Sequence, residues 1–118
     1  MQKKVMIVED DRTMNSLLKT LLELDGFAVV LAPYGELVLP TALAEKPDAV
    51  LMDVHIADAD GMDLLRQIRL NPQLARLPVI MSSGMDMEYE CRQAGANAFI
   101  LKPYPPEQLS STLQKVIS

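Results

Sequence analysis

The stretch Asp48-Ala49-Val50-Leu51-Met52-Asp53 decides the fold of this sequence. Its four apolar residues stand in a row with no polar residue between them, which is typical of a strand buried on both faces of a parallel sheet. Such a strand has no solvated face, so Asp53 is the first side chain at its end that is free to meet water. In open α/β sheets, ligands bind at the carboxyl ends of the strands. Asp53 is therefore predicted to lie where the chemistry of this protein takes place.

Apolar runs and helical stripes alternate along the rest of the chain. Pro40 lies inside one of the helical segments and removes a backbone hydrogen bond, so that helix starts late or is kinked. Because right-handed crossovers cover both faces of parallel strands, the alternation predicts an α/β doubly wound sheet of five strands with five helices, in a single domain of residues 1–118. The other predicted strands are Lys4–Val8, Phe27–Leu31, Val79–Met81 and Ala98–Leu101. The predicted helices are Arg12–Leu24, Glu36–Lys46, Met62–Leu70, Met87–Ala94 and Pro106–Ile117.

Composition narrows the classes of function. The chain of 118 residues has a net charge of −5 and no cluster of Lys or Arg, so direct binding to nucleic acid or to anionic membranes is not expected. No apolar run approaches the roughly 20 residues that span a membrane. The single cysteine, Cys91, has no partner for an internal disulfide, which fits a reducing cytoplasm.

Polar residues of defined kinds follow four of the predicted strands: Glu9-Asp10, Asp53, Ser83 and Lys102. Each alone is more often a loop, cap or turn residue, but the four together meet at one edge of one sheet. Converging carboxylates repel each other, and a hard cation such as Mg²⁺ relieves that repulsion. An aspartate can attack phosphorus to give an aspartyl phosphate, whose oxygens Mg²⁺, the lysine ammonium and the serine hydroxyl would each hold. The pattern thus indicates a site for phosphoryl transfer.

Six motifs in this order resemble the receiver domain of bacterial two-component response regulators, along nearly the whole chain. They are Val8-Glu9-Asp10-Asp11, Leu51-Met52-Asp53, Asp60-Gly61, Pro78-Val79-Ile80-Met81-Ser82-Ser83, Ala94-Gly95-Ala96 and Lys102-Pro103-Tyr104. The resemblance implies a flavodoxin-like fold with strand order 2-1-3-4-5, similar to the chemotaxis receiver. It also implies a switch in phosphorelay signalling. Such a domain takes a phosphoryl group from a sensor histidine kinase or phosphotransfer protein and controls an effector domain or partner protein. It is not otherwise an enzyme, because it catalyses only its own phosphorylation and autodephosphorylation.

The resemblance assigns roles to the acidic residues. Asp53 matches the phosphoacceptor, and Glu9 with Asp10 matches the acidic pair that holds Mg²⁺. The backbone carbonyl of His55, two residues after the acceptor, is expected to complete the protein's share of the metal ligands.

The resemblance also assigns the residues that respond to phosphorylation. Ser83 matches the hydroxyl residue that follows the phosphoryl group, and Lys102 matches the ammonium that binds it. Phe99 stands where the family keeps an aromatic switch residue, although an ordinary core aromatic is the alternative. The Lys102–Pro103 peptide bond is expected to be cis, which is unusual enough to make a sharp prediction.

Two departures from the family pattern concern the loops and the signalling surface. Ala57 stands where the family usually has proline, so the loop after the acceptor is expected to be more mobile. Between Ser83 and Lys102 the chain is shorter than is typical by roughly three residues, close to one turn of the fourth helix. These departures bear on the output of the domain and leave its chemistry unchanged.

Two other classes of function compete with a phosphorylated switch. One is a binding module that keeps the fold without the switch, against which the intact acids, hydroxyl and lysine argue. The other is a Mg²⁺-dependent phosphatase with an aspartyl nucleophile, but such enzymes use a second acid where this chain has His55. A flavin site is disfavoured, because Glu9-Asp10-Asp11 would repel the cofactor phosphate.

Overall fold

The structure is a computed structural model that describes residues 2–117, so the first and last residues of the predicted domain lie outside the described residues. Its strands are β1 (Lys4–Val8), β2 (Ala28–Leu31), β3 (Ala49–Asp53), β4 (His55–Ile56), β5 (Ala59–Asp60), β6 (Val79–Ser83) and β7 (Ala98–Leu101). Its α-helices are α1 (Arg12–Leu24), α2 (Val38–Glu45), α3 (Gly61–Leu70), α4 (Glu88–Gln93) and α5 (Pro106–Ile117). No helix among these residues combines the length and the apolar character that crossing a membrane requires.

Five of the strands form one parallel sheet in the order β2-β1-β3-β6-β7. This order confirms the doubly wound fold and the strand order expected from the sequence. The other two strands, β4 and β5, pair antiparallel as a separate hairpin directly after β3. The pattern of apolar residues did not predict this hairpin.

The two faces of the sheet bury separate hydrophobic clusters. Successive side chains of a strand point to opposite faces, so Met52 packs on the side of α2, α3 and α4 while Leu51 packs on the side of α1 and α5. The residues Ala49 to Met52 are all buried, as predicted for a strand covered on both faces, and Asp53 is the first residue of β3 that is partly exposed. The sheet therefore delivers the Asp53 carboxylate to the solvent edge.

The second helix starts late, as Pro40 predicted. A 3₁₀ turn, Gly35–Leu37, precedes α2, which begins at Val38. Pro40 is consequently the third residue of α2, where a backbone N–H has no acceptor within the helix, so the missing donor breaks no bond. The predicted start at Glu36 falls in the 3₁₀ turn.

Arg69 of α3 ties together the segment that leads into β6 and the segment that leads from α4 into β7. Its Nε donates to the carbonyl of Gly95 at 2.9 Å, and Nη1 donates to the carbonyls of Leu77 at 2.7 Å and Ala75 at 3.3 Å. Its Nη2 donates to Oδ1 of Asn97 at 2.9 Å. Gly95 has φ +110, and a Cβ at this position would press on the Arg69 side chain. One guanidinium thus fixes the segment that leads out of α4.

The fourth helix is short but well attached to the core. It has six residues, from Glu88 to Gln93, where the sequence predicted 87–94. Cys91 on its inner face is fully buried, with Sγ 3.6 Å from Sδ of Met62. Burial raises the pKa of the Cys91 thiol to about 11, with a smaller contribution from the Glu90 charge.

The raised pKa of the Cys91 thiol predicts that the free energy of unfolding depends on pH. The pKa of Cys91 is raised from 9.0 to about 11 in the folded state, so its contribution is fully present below pH 9 and is lost as the pH rises towards 11. We expect the free energy of unfolding, measured with urea, to fall in that window by on the order of 2 kcal/mol because of this residue. Cys91→Ala should show a shallower decline, since other alkaline groups are common to both proteins. Parallel declines in the two proteins would contradict the assignment.

Candidate functional site

The predicted site residues meet at the carboxyl edge of the sheet. Glu9 and Asp10 follow β1, Asp53 is the last residue of the adjacent β3, and Lys102 follows β7. The side chain of Lys102 crosses the end of β6 to reach the acids. Residues distant in sequence are thus brought together by the strand order alone.

Lys102 binds two of the three predicted acids. Its Nζ lies 2.7 Å from Oδ2 of Asp53 and 3.1 Å from Oε1 of Glu9, and the three side chains are 26%, 13% and 8% exposed. Burial by itself would lower the pKa of Lys102, but the hydrogen bonds to Asp53 and Glu9 outweigh it, so the pKa is raised. The Lys102 ammonium therefore keeps its charge and holds the Asp53 carboxylate at the carboxyl end of β3.

Glu9 is a buried acid with a satisfied carboxylate. Its Oε2 accepts a hydrogen bond from the backbone N–H of Asp10 at 3.0 Å, while Oε1 accepts from Lys102. Burial raises the pKa of Glu9, and the hydrogen bond from Lys102 offsets part of that rise. Asn15 on α1 supports the same segment, because its Nδ2 donates to the Glu9 carbonyl at 2.7 Å.

Asp53 is held on both sides. Oδ1 accepts a hydrogen bond from the backbone N–H of His55 at 3.0 Å, and Oδ2 accepts from Lys102. Gly61 lies against the backbone of Asp53 and Val54, where a Cβ would collide, so the start of α3 packs directly against the end of β3. Both carboxylate oxygens are therefore oriented by hydrogen bonds from within this chain.

Asp10 is turned towards the hairpin. Its carboxylate is exposed, and Oδ2 accepts a hydrogen bond from the backbone N–H of Ala57 at 2.8 Å. Among residues 2–117, no three His, Cys, Asp or Glu side chains come close enough together to hold a metal ion. The three carboxylates and the His55 carbonyl are the oxygen donors that Mg²⁺ prefers, so the donor set fits a hard cation. The Asp10 side chain also interacts with that of Glu9, which adds to the raised pKa of Glu9, so these two acids lie side by side.

Ser83 and Phe99 lie on the neighbouring strands β6 and β7. Ser83 is buried at the end of β6, and its Oγ accepts a hydrogen bond from the backbone N–H of Met85 at 3.1 Å. Phe99 on β7 pairs in register with Met81 and packs, partly buried, against the cluster on the α4 side. Among the described residues, the Ser83 hydroxyl makes no hydrogen bond to Asp53 or Lys102, but the Ser83 carbonyl accepts one from the backbone N–H of Lys102 at 2.8 Å. The Lys102–Pro103 bond is cis, which confirms that prediction.

One side chain of the site escaped the sequence analysis. Ser82 is buried, pairs in register with Asp53, and lines with Glu9, Lys102 and Tyr104 a cavity of about 10 Å³ beneath the acceptor. Alternation along β6 would have revealed it, since Ile80 and Ser82 point to the face that Leu51 and Asp53 share. Burial raises the pKa of the neighbouring Tyr104 phenol, which keeps this wall of the site neutral.

Fold and site together define the class of this protein, which is a flavodoxin-like α/β domain. The carboxylates of Glu9, Asp10 and Asp53 and the ammonium of Lys102 lie at the carboxyl edge of its sheet, where such folds bind ligands. A family model described as "Response regulator receiver domain" matches residues 5–114. The chain therefore belongs to the response regulator receiver domain family, as its motifs predicted.

Curated relatives include both long and short proteins. The alkaline phosphatase synthesis transcriptional regulatory protein PhoP of Bacillus subtilis is 30% identical over 99% of this chain and 49% of its own length. The chemotaxis protein CheY of Pseudomonas aeruginosa is 32% identical over 96% of this chain and 94% of its own. The chain thus spans about half the length of the transcriptional regulators it matches and nearly all of the chemotaxis protein.

Solved structures of other receiver domains and response regulators superimpose closely on this chain. A putative response regulator from Chloroflexus aurantiacus superimposes with a TM-score of 0.93 at 29% identity, covering 99% of this chain and 98% of that one. The receiver domain of the sensor histidine kinase PA1611 from Pseudomonas aeruginosa, which has a magnesium ion coordinated in its active site cleft, gives 0.89 at 28% identity with the same coverage.

Proposed function

We propose that Asp53 is the phosphoacceptor of this receiver domain and that the whole sequence, residues 1–118, forms that one domain. The observation that carries the proposal is the 2.7 Å contact between Lys102 Nζ and Asp53 Oδ2, at the end of a strand buried on both faces. The contact places an ammonium where negative charge accumulates when a carboxylate attacks phosphorus. It also keeps the nucleophile oriented.

The proposed reaction uses Asp53 as a nucleophile. A carboxylate oxygen of Asp53 forms a bond to the phosphorus of the donor, and the bond between phosphorus and the donor's leaving group breaks. Lys102 then neutralises part of the charge on the transferred group. Hydrolysis of the acyl phosphate returns the free carboxylate and inorganic phosphate, so the domain catalyses only its own phosphorylation and dephosphorylation.

Magnesium is part of the proposal. Asp10, Asp53 and the carbonyl of His55 would hold Mg²⁺, and Glu9 would contribute from its buried position. The magnesium ion in the PA1611 receiver domain supports this assignment, as does the donor set of this chain. When bound, the ion would supply positive charge that neutralises the phosphoryl oxygens.

The proposed output depends on Ser83 and Phe99. Phosphorylation would draw the Ser83 hydroxyl away from the Met85 N–H towards the phosphoryl group, and Phe99 would follow into the vacated space. The phosphoryl donor would be a sensor histidine kinase or a phosphotransfer protein. The phosphorylated domain would then control an effector domain or a separate partner protein. We place these events in the cytoplasm, where the free thiol of Cys91 is stable.

The proposal predicts direct labelling of one residue. Incubation with acetyl phosphate and Mg²⁺ should add the mass of one phosphoryl group to the protein, and peptide mapping by mass spectrometry should place it on Asp53. Chelation of Mg²⁺ before the donor is added should prevent the adduct. An adduct on another residue would overturn the assignment, and no adduct on a folded protein that binds Mg²⁺ would favour a binding module without the switch.

A further inference from the structure

A buried hydroxyl lies beside the acceptor, on the face of the sheet opposite to that of Ser83. Ser82 is 2% exposed and pairs in register with Asp53. Because side chains alternate along a strand, Ser82 points to the side of α1 and α5, where the neighbouring Ile80 and Ile100 are apolar and buried. A hydroxyl buried among such residues costs free energy unless it has a hydrogen-bond partner. Ser82 therefore needs a partner on this face.

The polypeptide does not supply that partner. Among residues 2–117, the Ser82 hydroxyl makes no hydrogen bond, and the one buried side-chain N or O atom that is sealed from water and unpaired is Oδ1 of Asn15. The Ser82 hydroxyl is thus unpaired without being sealed. Ser82 lines the cavity of about 10 Å³ beneath the acceptor. Its hydroxyl accordingly faces a space that water can enter.

The cavity suits a single water molecule. A volume of about 10 Å³ is close to the smallest that holds a water, which also needs roughly two to four polar partners. Glu9, Asp53 and Lys102 line the cavity together with Ser82. The other walls include three apolar side chains: Ile7, Leu18 and Leu51. The polar residues of the cavity are therefore those of the acceptor site and Ser82.

Lys102 has a donor left for such a water. An ammonium has three N–H donors, and two of them reach Asp53 Oδ2 at 2.7 Å and Glu9 Oε1 at 3.1 Å. Within the described part of the chain, the third N–H has no acceptor. Because adjacent strands lie about 4.8 Å apart, one water can span the distance between Ser82 and the Asp53–Lys102 pair.

We propose that Ser82 is a positioning residue whose hydroxyl binds one water molecule in this cavity, and that this water holds the Lys102 ammonium against Asp53. The water accepts the third N–H of Lys102 and donates to the Ser82 oxygen. Ser82 does not touch the phosphoryl group and acts through Lys102. The inference rests on the acceptor role given to Asp53 in the proposed function.

The first test is a crystal structure, at a resolution that shows ordered waters, of the wild type and of Ser82→Val. We expect one water within hydrogen-bond distance of both Ser82 Oγ and Lys102 Nζ in the wild type. None should remain there in Ser82→Val, because a methyl group replaces the hydroxyl that binds it. A dry wild-type cavity, or a water that contacts Ser82 without Lys102, would overturn the proposal. These outcomes do not depend on phosphorylation.

The second test measures the rate of labelling by acetyl phosphate in the presence of Mg²⁺. Ser82→Thr and Ser82→Val are a matched pair, because the two side chains have nearly the same shape and only threonine keeps the hydroxyl. We expect Ser82→Val to be labelled about 2- to 10-fold more slowly than the wild type, the range that one lost hydrogen bond allows. Ser82→Thr should stay close to the wild type. Equal rates in the two variants would overturn the proposal.

Ile80→Val controls for a loosened core. It removes one methylene group from the same face of β6, two residues before Ser82, and changes no polar group. Its labelling rate should equal that of the wild type even though its free energy of unfolding falls. A loss of rate as large as in Ser82→Val would show that packing matters and the hydroxyl does not. Wild-type labelling on a residue other than Asp53 would instead overturn the proposed function, while the crystal structures would still decide whether Ser82 and Lys102 share a water.

Discussion

Replacing Asp53 by Asn is expected to abolish phosphorylation by acetyl phosphate, measured as the loss of the adduct in the intact mass. The amide has no negative oxygen with which to attack phosphorus. Lys102 would remain in place through its 3.1 Å contact with Glu9, so the variant should fold and its failure should be chemical. The expected change is complete loss within detection.

Asp63→Asn is the matched control for this variant. Asp63 is an exposed acid on α3 that pairs with Arg66 at 2.8 Å, so the same chemical change is made away from the site. The control should be labelled like the wild type. Labelling that persists in Asp53→Asn would move the acceptor to another residue, and equal loss in both variants would point to a general effect of charge.

Replacing Arg69 by Leu is expected to lower the free energy of unfolding by about 3–4 kcal/mol, measured with urea. The change keeps an apolar stem but removes the donors to the carbonyls of Gly95, Leu77 and Ala75 and to the Asn97 side chain. Partly buried acceptors left without partners account for most of the loss. The segments that lead into β6 and β7 should loosen first.

Arg66→Leu provides the comparison on the same helix. Arg66 lies three residues earlier on α3, and its ion pair with Asp63 is exposed at the surface. Such pairs contribute little, so the variant should lose no more than about 0.5 kcal/mol. Similar losses of unfolding free energy in the two variants would show that the hydrogen bonds of Arg69 stabilise the fold no more than an exposed ion pair does.

The sequence predicted the sheet well because its strands are apolar runs with little ambiguity. Ala49 to Met52 has no polar residue, and three of the other four predicted strands end directly before a polar or charged residue: Glu9, Ser82 and Lys102. The hairpin of β4 and β5 could not be foreseen in the same way. Its strands have two residues each, and its loop lacks the glycine that usually marks so tight a turn. Contacts with Gly35 and Asp10 hold it instead, and these are set by the tertiary fold.

The site was predicted as a set of residues, but its internal contacts were not. Strand ends in a parallel sheet converge, so the sequence could bring Glu9, Asp53 and Lys102 together. It could not tell that Lys102 bonds both acids while Asp10 turns to a backbone amide, because backbone donors in loops leave no trace in residue type. Burial of Ser82 beside Asp53 follows from the register of β3 with β6, which only the structure fixes.

The position of β3 between β1 and β6 has a consequence for synthesis of the chain. A nascent polypeptide emerges from its N-terminus, so β1 is available early, yet β3 can gain its second neighbour only when residues 79–83 have left the ribosome. Until then the apolar run from Ala49 to Met52 has one uncovered edge. Pairings of this kind join distant segments and form slowly compared with local helices. During this interval the strand that presents the acceptor is an apolar segment with an unpaired edge, the kind of segment that promotes aggregation and that chaperones bind.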